Sequence, residues 1–168
     1  MSTRSAQNAS ASEDEIEEPW NFSWITQDVL AAMSCPYKKS HILFLKSVGI
    51  KHLVTLSPDT RPYHQTDNGI QYHEIAIEEF EPPTTDQIKT FISLCENAKN
   101  KKEPVGVHCR MGRGRTGVMV ACYLMYFFSL TPDRALTNVR LQRPGSVETF
   151  TQERILFTYY DYLRTMTK

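Results

Sequence analysis

The alternation of apolar and polar residues predicts strands in three separate parts of the chain. Residues 52–56 and 105–107 are apolar runs bounded by polar or glycine-containing segments, which is typical of buried strands. Residues 71–77 alternate with the period of two that a strand requires. A short edge strand is also predicted after Asn21, followed by a turn that Cys35 and Pro36 close.

Apolar residues at intervals of three and four positions predict the helices. The helical segments are residues 37–48, 85–98, 118–128, 132–141 and 148–163. Gly49 is expected to end the first helix, Thr84 or Thr85 to cap the second, and Thr131 to cap the fourth. Strands separated by helical crossovers predict a single α/β domain with a central, mainly parallel twisted sheet and helices on both faces.

The overall charge excludes two classes of partner. The 19 Lys and Arg residues balance 19 Asp and Glu residues, so no net charge attracts the chain to nucleic acid or to a lipid surface. The longest apolar run, residues 118–128, is far shorter than the roughly 20 residues of a membrane span. We therefore expect a monomer without a nucleic-acid partner and without a membrane span.

The beginning of the chain differs in composition from the rest. Residues 1–19 are rich in Ser, Ala, Asn and Gln and then in Glu and Asp, so they bury too little apolar surface to offset their ordering entropy. The composition predicts a disordered acidic tail over residues 1–19 and a folded domain over residues 20–168.

The cysteines predict a reducing environment. The four cysteines, at positions 35, 95, 109 and 122, form no Cys-x-x-Cys pair and no metal-ligand spacing with the five histidines. We expect no metal and no cofactor, and a location in the cytoplasm, with the nucleus as a second compartment.

A strand, a glycine-containing loop and a helix follow one another around Cys109. The loop contains Gly112 and Gly114, which can adopt backbone angles that let consecutive N–H groups turn toward one point, where the positive end of the following helix dipole is also directed. This arrangement predicts a phosphate cradle. Its expected substrate contacts are Arg110, Met111, Gly112, Arg113 and Gly114.

Cys109 and Arg115 give this cradle its predicted chemistry. Arg115 follows Cys109 by six residues, so its guanidinium can bind two phosphoryl oxygens while the cysteine attacks phosphorus. The inward amides, the helix terminus and the arginine should favour the thiolate. Thr116 is expected to donate a hydrogen bond to the sulfur when it leaves. These residues predict a covalent phosphatase site.

Other interpretations of the loop fit the residues less well. A nucleotide-binding P-loop requires Lys and then Ser or Thr after its last glycine, whereas Val118 follows Gly117. Arginines within an apolar strand-to-helix segment do not form the basic face of a nucleic-acid site. A buried structural Cys109 would leave the surrounding arginine and glycines unexplained.

The motif from His108 to Thr116 resembles the signature of the Cys-dependent protein tyrosine phosphatases. Residues 21–160 resemble the small atypical dual-specificity phosphatases, with matching segments at residues 21–24, 49–54, 105–117, 121–124 and 143–149. The resemblance implies the protein tyrosine phosphatase fold and phosphorylated proteins as substrates. His108 is then expected to form hydrogen bonds under the loop and not to act as a base.

The resemblance also implies a general acid and a residue that positions water. The family pattern Ile-Pro-Asp-Phe would place its aspartate at Glu79, although Glu78 and Glu81 are neighbours. Residues 146–153 resemble the segment that positions the hydrolytic water, with Gln152 as the nearest match and Glu148 as a variant.

Two classes of function remain open from the sequence. The first is a phosphatase for phosphotyrosine, and also phosphoserine and phosphothreonine, in proteins. Because Arg110 and Arg113 make the cradle more basic, phosphoinositides and RNA 5′-triphosphates are alternative substrates. The second class is a phosphate-binding module with weak turnover.

Overall fold

The computed structural model describes residues 15–64 and 69–166. In this part of the chain five strands form one sheet in the order β1-β2-β5-β3-β4. The strands are β1 (Ser23–Thr26), β2 (Leu30–Met33), β3 (His52–Thr55), β4 (Gln71–Glu74) and β5 (Val105–His108). Only β1 runs antiparallel to its neighbour, so the predicted, mainly parallel sheet is confirmed.

Five helices connect and cover these strands within the described ranges. They are α1 (Lys39–Ser47), α2 (Thr85–Asn100), α3 (Gly114–Phe128), α4 (Pro132–Gln142) and α5 (Phe150–Met166). No helix in the described part of the chain is long and apolar enough to cross a membrane.

The alternation of side chains along the strands builds a core on each face of the sheet. Leu30 and Ala32 of β2 pack with residues from α2 to α5, whereas Ala31 and Met33 pack with α1. All four side chains are fully buried. The expected helices on both faces are therefore confirmed, with four helices on one face and α1 on the other.

The N-terminal part of the sheet differs from the prediction. The sequence predicted one short edge strand, but the chain forms a hairpin in which β2 is an interior strand beside β5. The apolar signal of β2 is weak because two of its four residues are alanines. Its burial depends on both cores and was not visible in the local pattern.

The predicted helix boundaries are largely confirmed, although α3 begins at Gly114, four residues before its predicted start. Gly49 has a φ of 91° directly after α1. Thr84 caps α2 by accepting a hydrogen bond from the Gln87 backbone N–H, and the Gln87 side chain accepts one from the Thr84 backbone in return. Thr131 occupies the cap position of α4, but its side chain makes no capping hydrogen bond.

The last residues of the predicted acidic tail contact α1. The Glu17 carboxylate accepts hydrogen bonds from Lys38 and Ser40, and the Glu17 backbone N–H donates to the Ser40 carbonyl. Residues 1–14, on which most of the tail prediction rests, lie outside the described residues.

Candidate active site

The register of the sheet brings three loops to one edge. His108, the last residue of β5, lies opposite Met33 of β2 and Thr55 of β3, so all three parallel strands end at the same level. Cys109 follows β5 directly, and Asp59 lies in the loop after β3. This is the edge at which α/β sheets commonly bind ligands.

The hydrogen bonds of four successive carbonyl groups determine how the loop after β5 is oriented. The acceptors are the backbone oxygens of Cys109, Arg110, Met111 and Gly112, and the donors are the His108 ring, the Cys35 backbone N–H, the Asn21 amide and the Arg143 guanidinium. In a trans peptide the N–H points away from the preceding carbonyl, and no peptide in the described chain is cis. Because the carbonyls turn outward, the N–H groups of residues 110–113 face inward and form the predicted cradle.

The two glycines of the cradle are required for different reasons. Gly112 has a φ of 71°, and a Cβ there would lie 2.6 Å from the Met33 backbone carbon and oxygen. A Cβ on Gly114 would lie 2.5 Å from a Glu148 carboxylate oxygen and 3.0 and 3.1 Å from the nitrogen and oxygen of the Gln152 amide, closer than ordinary van der Waals contact. The loop therefore packs directly against β2 on one side and against residues 148–152 on the other.

Arg115 is held in place from two sides. Its side chain is 3% exposed, and its Nη1 donates to the Asp59 carboxylate at 2.9 Å and to the Ile77 carbonyl at 2.8 Å. The hydrogen bond from Arg115 holds the pKa of Asp59 below its ordinary value. Sequence reasoning missed Asp59 as a site residue. Its place just after a strand predicted to run parallel to β5 was the signal that could have identified it.

Cys109 and Thr116 are both buried beneath the cradle. Cys109 is a free thiol with 3% exposure. The Thr116 hydroxyl is fully buried and has no hydrogen-bond partner in the described part of the protein. The predicted bond from Thr116 to the sulfur is therefore not formed in this structure, although the hydroxyl is free to donate one.

His108 has the supporting position that the sequence predicted. Its ring is fully buried, with Nε2 2.7 Å from the Thr55 hydroxyl and Nδ1 3.2 Å from the Cys109 carbonyl oxygen. Burial lowers the pKa of His108 to about 4, so the ring is neutral near pH 7. The expectation that His108 forms hydrogen bonds under the loop is confirmed.

Glu79 contacts the cradle through Arg110. The Nε and Nη2 atoms of Arg110 both donate to the same carboxylate oxygen of Glu79, with the Nε contact at 2.9 Å. The loop that contains Glu79 is thus tied to the residue after the nucleophile. In this arrangement the carboxylate is engaged with a cation, so proton delivery by Glu79 requires this ion pair to open.

Arg113 and Met111 differ in their access to a substrate. The Arg113 guanidinium lies 5.3 Å from the centre of the Trp20 ring, its stem packs on Gly145, and its Nε is buried without a partner. The Arg113 side chain therefore packs against the N-terminal segment, and its expected contact with substrate stays a prediction. Met111 is 38% exposed at the rim of the cradle.

Gln152 and Glu148, which the resemblance suggested as residues that position water, lie beside Gly114, and the Gln152 amide is occupied. Its oxygen accepts hydrogen bonds from the backbone N–H groups of Glu148 and Thr149, at 2.8 and 3.2 Å. Its nitrogen is 3.4 Å from the Glu81 carbonyl oxygen. Gln152 is fully buried and links the loop before α5 to the loop of Glu79.

A comparison with family models identifies the family to which this domain belongs. Residues 19–156 match the model described as "Swiss Army Knife protein, DSP-PTPase phosphatase domain". The chain belongs to this DSP-PTPase phosphatase domain family. The matched range contains the whole of the cradle, Asp59, Glu79 and Gln152.

Relatives of this DSP-PTPase domain include larger phosphatases. It is 28% identical over 149 residues to the dual specificity protein phosphatase CDC14C of Homo sapiens, covering 79% of this chain and 32% of that protein. It is 31% identical over 84 residues to the tyrosine-protein phosphatase CDC14 of Saccharomyces cerevisiae, covering 50% of this chain and 15% of that protein. The chain thus spans about a third or less of the length of these relatives.

Solved structures show the same fold. The crystal structure of Tk-PTP in the active form has a TM-score of 0.76 at 25% identity, covering 84% of this chain and 97% of that one. The structure of PTPMT1 in complex with PI(5)P has a TM-score of 0.79 at 15% identity, covering 88% and 99%. The second likeness concerns the fold alone.

Gly112→Ala tests whether the close approach to β2 sets the cradle. We expect turnover of an aryl phosphate to fall about 100-fold or more, because the new Cβ displaces the loop amides from the phosphate. Gly49→Ala is the matched control, since Gly49 has a φ of 91° but no atom within 4 Å of the position that a methyl group would take. It should cost about 1 to 2 kcal/mol of stability and leave turnover per folded molecule unchanged. Equal turnover losses in the two variants would contradict this account.

The neutral His108 should make the fold sensitive to acid. Its pKa is about 4 in the fold against an ordinary 6.5, so the unfolded chain takes up the proton first as the pH falls. Its contribution to stability is complete above about pH 6.5 and declines by up to roughly 3 kcal/mol toward pH 4.

The measurement is urea unfolding between about pH 7 and pH 4 for the wild type and for His108→Gln, which replaces the titrating ring by a neutral amide. Burial also lowers the pKa of His41 and His73, and both remain in the variant. The fall in stability should therefore become shallower in the variant without disappearing. Parallel curves for the two proteins would show that His108 does not contribute.

Proposed function

We propose that this domain hydrolyses phosphotyrosine, and also phosphoserine and phosphothreonine, in proteins through a phospho-cysteine intermediate. The observation that carries the proposal is the inward direction of four consecutive amides around Cys109, with the buried Arg115 guanidinium fixed beside them. Four amides, a helix N-terminus and an arginine match the charge and the geometry of a phosphoryl group. Family membership and the dual-specificity relatives also support it.

The first proposed step transfers the phosphoryl group to sulfur. The Cys109 thiolate attacks phosphorus and forms the S–P bond as the bond to the substrate oxygen breaks. The cradle amides and Arg115 bind the equatorial oxygens, where charge develops in the transition state. The incoming phosphoryl group displaces the Glu79 carboxylate from Arg110. The freed carboxylate takes up a proton from solvent and gives that proton to the leaving oxygen.

The second proposed step returns the enzyme to its starting state. Water attacks phosphorus, its proton passes to the Glu79 carboxylate, and the S–P bond breaks to release inorganic phosphate and the thiolate. Glu79 then gives this proton to solvent as its carboxylate pairs with Arg110 again. The free hydroxyl of Thr116 can then donate to the sulfur. Glu148 and Gln152 lie beside Gly114, where they can orient the water if the Gln152 amide exchanges its backbone partners.

The alternative substrates receive less support than the sequence alone gave them. Two of the charges that favoured phosphoinositides or RNA 5′-triphosphates are already engaged, Arg110 by Glu79 and Arg113 by the Trp20 ring. PI(5)P is bound by PTPMT1, to which this chain is similar in fold only. Protein substrates therefore remain our proposal, with these polyanions as comparison substrates.

We also propose a monomer in the cytoplasm, with the nucleus as a second compartment, that acts on phosphoproteins and not on nucleic acid. The balanced charge and the four free cysteines support this assignment. Light scattering of the purified protein and microscopy of a tagged chain test the oligomeric state and the location.

Cys109→Ser is the direct test of an enzyme against a phosphate-binding module. We expect it to lower hydrolysis of an aryl phosphate by roughly 10⁴-fold or more while inorganic phosphate still protects the fold from heat. Wild-type rates should be compared on phosphotyrosine peptide, phosphothreonine peptide, phosphoinositide and RNA 5′-triphosphate. A wild type as slow as the variant on all four substrates would favour the binding module. A higher rate on a polyanion than on either peptide would overturn the protein substrate.

Glu79→Gln tests the general acid. Expulsion of an alkoxide needs a proton more than expulsion of an aryl oxide does, so the loss in rate should grow as the leaving-group pKa rises. The fall in rate at high pH, which in the wild type reports loss of the Glu79 proton, should also become shallower. The exposed Glu78→Gln is the matched control and should change neither property. If Glu79→Gln costs the same for every leaving group, the acid is elsewhere, and Glu148→Gln is the next variant to measure.

A further inference from the structure

Arg143 is the largest fully buried side chain in the described part of the protein, with 1% exposure. It lies at the end of α4, and its guanidinium extends under the cradle. Nη2 donates to the Gly112 carbonyl at 2.8 Å, and Nη1 donates to the Ser23 hydroxyl at 2.7 Å. Nη1 also contacts the carbonyls of Asn21 and Ala32, at 2.6 and 3.2 Å. One side chain thus joins β1, β2 and the phosphate loop.

The charge of Arg143 has no carboxylate partner among residues 15–64 and 69–166. Its acceptors are three carbonyls and one hydroxyl, and its Nε is buried without a partner. Two other arginines near the cradle are paired, Arg110 with Glu79 and Arg115 with Asp59. A buried cation without a counter-ion costs several kcal/mol, so one is rarely retained without a function.

The negative counter-charge that Arg143 lacks can come from the thiolate of Cys109. Burial lowers the pKa of Arg143 to about 10, and the negative charge of Cys109 acts in the opposite direction. The guanidinium is therefore still charged near pH 7. Arg143 donates to the carbonyl of Gly112, three residues after Cys109 in the same loop, so its unpaired charge lies directly behind the loop that carries the sulfur.

The other ionisable groups around Cys109 are neutral, paired or partly exposed. Burial raises the pKa of Cys35 to about 11 and lowers that of His108 to about 4, so both are neutral near pH 7. The positive charges of Arg110 and Arg115 are partly offset by Glu79 and Asp59. The half-buried Arg113 lies over the Trp20 ring.

We propose that Arg143 is a positioning residue that acts from behind the loop: it turns the Gly112 carbonyl outward, and its unpaired charge holds Cys109 as the thiolate. This role rests on the proposed function, because a thiolate nucleophile is what the charge would serve. Alkylation of Cys109 measures the thiolate without any turnover, so the two proposals can fail separately.

The experiment measures the rate of Cys109 alkylation by iodoacetamide against pH in the intact chain, with mass spectrometry identifying the modified cysteine. In Arg143→Met the volume is kept and the charge is lost, and we expect the profile to move to higher pH by about one unit. At a pH below the wild-type midpoint this shift corresponds to a roughly tenfold lower alkylation rate. Arg143→Lys keeps the charge and should restore most of the shift.

Arg140→Met is the matched structural control. Arg140 also holds backbone carbonyls, those of Ser146 and Val147, but it is paired with Glu153 at 2.7 Å and is 39% exposed. Its loss should lower stability without moving the alkylation profile. An equal shift in Arg140→Met and Arg143→Met would reduce the role of Arg143 to general support of the fold.

A second variant keeps the proposal testable if Arg143→Met does not fold. Ser23→Asp places a carboxylate next to the guanidinium and neutralises it without removing any donor, whereas Ser23→Asn changes the size alone. We expect Ser23→Asp to move the alkylation profile to higher pH and Ser23→Asn to leave it in place. An unmoved profile in a folded Ser23→Asp protein, or in a folded Arg143→Met protein, overturns the proposal.

Discussion

The outward direction of four consecutive carbonyl groups is the constraint on which the site depends. Each inward amide of the cradle exists because the carbonyl before it is taken by a donor behind the loop. Those donors come from β5, from the turn after β2, from the segment before β1 and from the end of α4. The phosphate loop is therefore set by the assembled domain, and it cannot take this shape as an isolated strand, loop and helix.

The charges around the loop are distributed in a way that suits a binding site for a dianion. The Arg115 guanidinium is oriented by Asp59 and the Ile77 carbonyl before any substrate arrives, so little side-chain entropy is lost on binding. Arg110 holds Glu79 close to the nucleophile through an exposed pair, which a phosphoryl group can exchange at low cost. One carboxylate thus preorganises the site, and in the proposed reaction the other transfers the proton after it leaves Arg110.

The polar groups beneath the loop lower the stability of the domain while they serve the site. His108 is kept neutral by burial, the Thr116 hydroxyl has no partner in the described part of the protein, and Arg143 carries a charge without a counter-ion there. Apolar residues in these positions would pack with less desolvation cost. Buried polar groups that lower stability are expected at functional sites, and these three lie in an otherwise regular core.

The sequence by itself determined the fold class, most helix boundaries and the loop from His108 to Thr116, because these depend on local periodicity, on glycine and on short spacings. The resemblance to the phosphatase family, and not the local pattern, singled out Glu79, Glu148 and Gln152. Only the tertiary structure decided that β2 is an interior strand and that Arg113 packs on Trp20. Only the tertiary structure joined Asp59 to Arg115 and Arg143 to Gly112, across 56 and 31 positions of the chain. Such contacts leave no local pattern, since a polar side chain in a loop has the same appearance in the sequence whether it faces water or a buried partner.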